Sequence, residues 1–402
     1  MPNIDKLVND LTLNEKVQLL SGFDAWHTNK IDRLNIPSIK MSDGPNGVRG
    51  DGNSGQPSAC FPSAISLGST WDMGLINKLG IELGSEAKLK DVDVLLGPTI
   101  NIHRHPLGGR HFESYSEDPY LTGRIAIEYV NGVQSKNVAS CLKHFVGNDT
   151  EFQRYAVSSN IDERPLREIY LLPFEMGIKE SNAKSVMSAY NKLNNIYCSS
   201  HKQLLIDILK KEWNFDGYVV SDWGAALENI ENANGGLDLE MPGPAKSWGT
   251  NLVQAIERGD VPVSEINDKV KRILKIAVFS KRFDDPDLKA EKSKDTSAQR
   301  MLLKKAAQDG MVLLKNEGLL PLNKNISSIG VIGPNAKKSQ IIGGGSAHLM
   351  AYHESHPLKA IKDILGKTSK INYSKGCHTH RYLPPLKEDL MNIPKKTIWM
   401  TC

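Results

Sequence analysis

Apolar positions recur along the first 280 residues with two alternating periods, one suited to helices and one to buried strands. Thr12-Leu13-Asn14-Glu15 has the spacing of a capping box, Leu13, Val17 and Leu20 share a helical face, and Gly22 supplies a stop. Residues 36–41 form a short apolar run that breaks into the turn-rich loop Ser42-Asp43-Gly44-Pro45-Asn46-Gly47-Val48-Arg49. Thr70 can cap a helix with Leu75, Ile76, Leu79 and Leu83 on one face, and residues 92–96 follow as a strand. Asp118-Pro119 reads as N-cap and first helical position, with Ile125, Val130 and Val133 facing inward. Strands are then expected at 138–142, 185–189, 217–223 and 236–241, with helices at 164–180, 204–213, 251–257 and 265–279 between and after them. Such alternation predicts a parallel sheet, and its length favours closure into a (β/α)8-like TIM barrel.

Beyond residue 287 the pattern changes. Residues 288–298 are charged and polar and read as a linker. A helix at 299–308, strands at 311–314 and 329–332, and a glycine loop at 343–345 look like the opening units of a second α/β domain. The expected organisation is a barrel domain over 1–287, the linker, the start of a second domain over 299–383, and a tail at 384–402 that matches nothing. The second domain is too short and too polar to be complete.

Composition narrows the functional classes. The net charge of +4 over 402 residues, without a basic run, leaves no electrostatic footprint for nucleic acid. No apolar run approaches the roughly 18 to 20 residues needed to cross a bilayer, and residues 1–10 lack the layout of a signal peptide. The five cysteines, Cys60, Cys141, Cys198, Cys377 and Cys402, are scattered and odd in number, which suits a reducing compartment and a cytoplasmic location. His103, His105 and His111 lack a metal-binding H-E-x-x-H frame, and the Gly343-Gly344-Gly345 loop lacks phosphate-binding spacing. No Gly-x-Ser-x-Gly elbow occurs, so neither a metal, a cofactor nor a serine nucleophile is expected.

What remains is a set of polar residues sharing one expected position. Taken singly, Asp43 can cap a turn, Arg110 can serve a surface ion pair, Lys143 can be solvated, His144 and Tyr190 can pack in a core, and Asp222 can cap a helix opening at 225–230. Yet Asp43, Lys143, His144, Tyr190 and Asp222 all fall at or just past the C-terminal ends of expected strands, and Arg110 lies in the loop after another. In a barrel those ends converge on one mouth, where catalytic residues are found. Two carboxylates, several cationic donors and the aromatic faces of Tyr190 and Trp223 suit a sugar, and a carboxylate can attack its anomeric carbon. Basic neighbours are expected to keep both carboxylates ionised, which favours a nucleophile over a general acid.

The motifs Ser42-Asp43-Gly44-Pro45, Gly108-Gly109-Arg110-His111-Phe112-Glu113-Ser114-Tyr115-Ser116-Glu117-Asp118-Pro119, Lys143-His144-Phe145, Met187-Ser188-Ala189-Tyr190-Asn191, Ser221-Asp222-Trp223 and Leu237-Asp238-Leu239-Glu240-Met241-Pro242-Gly243 stand in the order of the glycoside hydrolase family 3 β-glucosidases. Over about residues 5–380 the chain resembles that family, and within it the intracellular yeast and fungal members with a PA14 module inserted in the second domain. The resemblance implies a barrel followed by an α/β sandwich domain, a retaining mechanism, no cofactor, and a β-glucoside or short gluco-oligosaccharide substrate. It assigns Asp222 as the nucleophile that forms a glycosyl-enzyme. It assigns Asp43, Arg110, Lys143 and His144 to the sugar, Tyr190 beneath the nucleophile, Trp223 to the aglycone side, and Arg49 to the mouth. The family's acid/base glutamate lies in the second domain, and no residue of 384–402 matches it, so the resemblance implies a C-terminally truncated chain with impaired hydrolysis. The alternatives are an inactive sugar-binding remnant and a truncated gene product. A homo-oligomer is left open.

Overall fold

The computed structural model describes residues 2–51, 55–367, 369–377 and 379, so the tail at 384–402 and residues 380–383 of the family-like stretch lie outside the described residues. The chain divides into two compact units, Met1–Leu313 with Ile341–His353, and Leu314–Gln340 with the residues from Glu354 onward.

The first unit is organised around a curled parallel sheet of β1 (Met41–Asp43), β2 (Val94–Leu96), β3 (Ala139–Phe145), β4 (Ser185–Ser188) and β5 (Tyr218–Ser221), hydrogen-bonded in that order. Every residue of the five strands is buried, the polar ones included. Past β5 the pairing continues through single bridges, Val220 with Leu239 and Ser21 with Glu240. It returns to β1 through antiparallel contacts of Gly22 with Thr28 and His27 with Lys40. The sheet is therefore TIM-like, but one segment of its circuit runs backwards and the 236–241 stretch forms no regular strand. Pro242 and Pro244 withhold N–H donors just where that strand would extend.

Local sequence explains most helices. At Leu13–Leu19 the Thr12 hydroxyl accepts from the Glu15 amide at 3.3 Å while the Glu15 carboxylate accepts from the Thr12 amide at 2.8 Å, a complete capping box. Asp118 caps Pro119–Gln134. The helix at Met73–Leu89 is capped by Asp72, whose Oδ1 accepts from the Leu75 amide at 2.9 Å, rather than by Thr70, whose hydroxyl lies one turn earlier, donating to the Leu67 carbonyl at 2.7 Å. The region expected as one helix at 164–180 is broken into a short turn, a π-helical segment Leu166–Tyr170 and the helix Leu172–Ser181, whose second residue is Pro173. No helix of the described residues is long and apolar enough to cross a membrane.

Residues 285–296 carry no helix or strand. They are tied to the first unit by Glu291, which sits 3.1 Å from Lys40 Nζ and 3.7 Å from Lys90 Nζ. The strand expected at 311–314 does not form; Met311 and Leu314 are 75% and 92% exposed, and the run pairs with no strand among the described residues. In the second unit β6 (Ser328–Ile332) pairs in parallel with β7 (Lys370–Ser374), with Ser328 opposite Lys370, and the helix Pro357–Leu365 connects toward β7.

Candidate active site

At the C-terminal edge of the sheet lies a cavity of about 450 Å³, enclosed entirely by the first unit. Asp43 ends β1, and Gly44, at φ +123°, turns the chain so that its amide donates back to Asp43 Oδ1 at 2.7 Å. The same oxygen accepts from Lys143 Nζ at 2.9 Å, and both side chains are buried. Lys143 and His144 belong to β3 itself rather than to the loop beyond it. Arg110 reaches in from the loop after β2 and is held by Glu113 as a two-point fork, Nε to Oε1 at 3.0 Å and Nη2 to Oε2 at 2.9 Å. Tyr190 follows β4, and its hydroxyl donates to the Trp223 carbonyl at 3.1 Å.

Asp222 follows β5 and caps no helix. Residues 223–224 form a turn, 225–229 carry no helix or strand, and the next helix, Ile230–Gly235, starts at Asn229 without a side-chain cap. Asp222 Oδ1 accepts from the Trp223 amide at 2.7 Å. Oδ2 is buried without a hydrogen-bond partner among the described residues, 3.6 Å from His144 Nε2. Trp223 donates its indole N–H to the Ala25 carbonyl at 2.8 Å and meets Trp26 at 5.4 Å between ring centres. Arg49 lies 5.5 Å over the Trp26 ring and donates to the Ser346 carbonyl at 3.1 Å. The structure thus brings Asp43, Arg49, Arg110, Tyr190, Asp222 and Trp223 to one cavity wall, with Lys143 and His144 directly behind Asp43 and Asp222.

The electrostatics separate the two aspartates. Burial pushes the Asp43 carboxyl up, but Lys143, the Gly44 amide and Arg110 outweigh it and hold the group below its ordinary range. At Asp222 burial wins over Arg110, Lys143, the Trp223 amide and the Tyr190 hydroxyl, and the proton affinity is raised. Basic neighbours thus lower the Asp43 carboxyl, whereas at Asp222, which has no lysine or arginine in direct contact, burial outweighs them. Burial, followed by Arg110, Lys143 and Arg154, drives His144 well below the ordinary histidine range, so it is neutral.

Residues 4–276 match the Glycosyl hydrolase family 3 N terminal domain, and residues 311–392 match the Glycosyl hydrolase family 3 C-terminal domain. The chain belongs to glycosyl hydrolase family 3. It is similar to a beta-glucosidase of Rhizobium radiobacter, 48% identical over 94% of this chain and 47% of that one. A probable beta-glucosidase J of Neosartorya fischeri is 45% identical over 97% of this chain and 46% of its own length. Among solved structures, a beta-glucosidase from Kluyveromyces marxianus in complex with glucose superposes with a TM-score of 0.89 at 41% identity, covering 96% of this chain and 47% of that one. Beta-glucosidase 3B from Thermotoga neapolitana in complex with glucose gives 0.83 at 34% identity, covering 92% and 55%. The chain spans about half the length of the curated relatives it matches.

Several residues of this family 3 cavity escape a reading by strand ends. Glu151 and Arg154 line it from the loop after β3, with Arg154 2.7 Å from Glu151 and 4.2 Å over the Tyr190 ring. Residues 343–346 also line it, although they follow β6 in sequence; a methyl group at Gly343 would run into the Phe112 ring, so only glycine allows that approach. Nothing in local periodicity signals these long-range partners. The loop histidines serve the loop itself. His103 Nε2 lies within 3.0 Å of the His111 and Ser114 carbonyls, and His111 Nε2 contacts the His105 carbonyl.

Proposed function

We propose that this chain carries the glucose-binding wall and the nucleophile of a retaining β-glucosidase. The observation that carries the reading is Asp222 Oδ2. Every other carboxylate lining the cavity is in an ion pair, Asp43 with Lys143, Glu113 with Arg110, and Glu151 with Arg154, whereas Asp222 has neither a lysine nor an arginine at contact distance. A buried, unpartnered carboxylate oxygen is the atom free to bond an anomeric carbon.

In this reading Asp43, Arg110 and Lys143 hold sugar hydroxyls through charge-assisted hydrogen bonds, His144 accepts one, and Tyr190 supports the nucleophile from below. Trp223, braced by Trp26 and with Arg49 near the mouth, offers an apolar face to the aglycone. Asp222 attacks C1 as the C1–O bond breaks, giving a glycosyl-enzyme that water then releases. The leaving oxygen needs a proton, and among the described residues of the cavity no carboxylic acid suits that role, because the other three carboxylates are paired with cations. Terminal β-D-glucosyl groups of β-glucosides or short gluco-oligosaccharides are the substrates this wall fits. The buried thiols Cys141 and Cys198, neither in a disulfide, support a reducing, cytoplasmic setting.

The test is covalent trapping. An activated 2-deoxy-2-fluoro-β-glucoside, whose leaving group needs little protonation, should add one sugar to Asp222, as read by peptide mass spectrometry. Labelling elsewhere sinks the assignment. A second reading, sugar binding without turnover, is favoured by the cation pairing of the other carboxylates. It predicts glucose binding by calorimetry with no trapped adduct.

A further inference from the structure

We infer that Asn101 is a positioning residue that locks His144 in one neutral tautomer, with its proton on Nδ1, so that a bare Nε2 faces Asp222. The inference rests on the reading of Asp222 as nucleophile for its functional meaning, but not for its geometry. Asn101 and His144 are both buried, at 7% and 2% exposure. The amide orientation of Asn101 is fixed twice by the main chain of His144. Asn101 Oδ1 accepts from the His144 amide at 2.9 Å, and Asn101 Nδ2 donates to the His144 carbonyl at 2.9 Å. Turning the amide over would set N–H against N–H and oxygen against oxygen. Oδ1 is therefore an acceptor, and His144 Nδ1, 3.0 Å from it, must be the donor. A neutral imidazole has one N–H, so Nε2 is left with its lone pair.

The consequence falls on the nucleophile. Nε2 and Asp222 Oδ2 are two acceptors 3.6 Å apart, and Oδ2 stays without a donor. Were Nε2 protonated, in the other tautomer or in the imidazolium, it would donate to Oδ2 and tie up the lone pair that must reach C1. The charged and titratable groups around the ring are Arg110, Lys143 and Arg154, which oppose a second proton, and Asp222 and Asp149, which favour one; His111 borders the same small space. A sugar hydroxyl entering the cavity can then donate to Nε2 and leave Oδ2 for chemistry. Asn101 acts through His144 and touches no reacting atom.

The tautomer is measurable on the native chain without sugar. With ¹⁵N-labelled histidine, NMR at neutral pH should show His144 with a protonated Nδ1 and a bare Nε2, assigned by the signal lost in His144→Gln. An Nε2–H tautomer, or an imidazolium, overturns the inference. A second arm uses Asn101→Asp, whose negative charge at Nδ1 favours the imidazolium and so pairs Nε2–H with Asp222. Trapping at Asp222 should then slow at least ~10-fold at about pH 6 and recover toward the native rate at about pH 9. A loss that is the same at both pH values marks a merely structural role and overturns the inference. If the native chain does not label at Asp222, the glucosidase reading fails, while the NMR result still decides Asn101.

Discussion

Replacing Lys143 with methionine tests whether the charge pair behind the cavity wall is as strongly coupled as its burial implies. Lys143 Nζ and Asp43 Oδ1 are 2.9 Å apart, and the side chains are only 1% and 8% exposed. Methionine keeps most of the stem's volume but leaves the carboxylate with the Gly44 amide and the more distant Arg110. Removing one partner of a buried pair costs about 3–5 kcal/mol. The carboxyl has an escape, which is to take up a proton. From its ordinary value of 3.8 this costs about 4 kcal/mol at about pH 7 and about 1.6 kcal/mol at about pH 5. In the native chain Asp43 lies below 3.8, so its contribution is present above the ordinary carboxyl range and is lost as pH falls through the folded value. In Lys143→Met the sign reverses, and the penalty shrinks as pH falls. Denaturant unfolding should therefore show a loss of about 3–4 kcal/mol at neutral pH and less than about 2 kcal/mol at about pH 5. Adding Asp43→Asn should recover most of it, without restoring sugar binding. An equal loss at both pH values, or no recovery in the double variant, would refute the reasoning.

Three further outcomes are expected. The rate of trapping at Asp222 should rise with pH through a midpoint above 3.8, because burial raises that carboxyl and only its ionised form attacks; Arg110→Met should move the midpoint higher still, and a midpoint at or below the ordinary value contradicts the assignment. Arg110→Lys loses the fork to Glu113 and should weaken glucose binding ~10- to 100-fold by calorimetry, an unchanged affinity counting against a role at the sugar. Asp149 is pushed up from 3.8 to about 7 by burial, against Arg104 and the Ile102 amide, so carrying its charge is costly in the fold. The native chain should lose stability relative to Asp149→Asn as pH rises from about 4 to about 8, by about 2 kcal/mol once partial exposure is discounted; parallel unfolding curves would rule this out.

The order of most elements, and the convergence of Asp43, Arg110, Tyr190 and Asp222 on one cavity, were legible in the chain because they depend on local patterns. A capping box at Thr12, an N-cap and proline at Asp118-Pro119, and fully buried runs such as residues 139–142 declare themselves by short-range spacing. Residues at strand ends could be gathered into one mouth, since a parallel sheet places all those ends on one side. Tertiary structure decided what depends on partners distant in sequence. It set the reversed segment near Thr28, the entry of residues 343–346 into the cavity, and the pairing of Asp43 with Lys143. It also removed the cap reading of Asp222, because only packing could show a buried carboxylate with no helix to cap and no lysine or arginine to pair. Spacing records which residue types sit at a strand end; desolvation and the direction of neighbouring charges, which fix how such a residue behaves, exist only once the chain is folded.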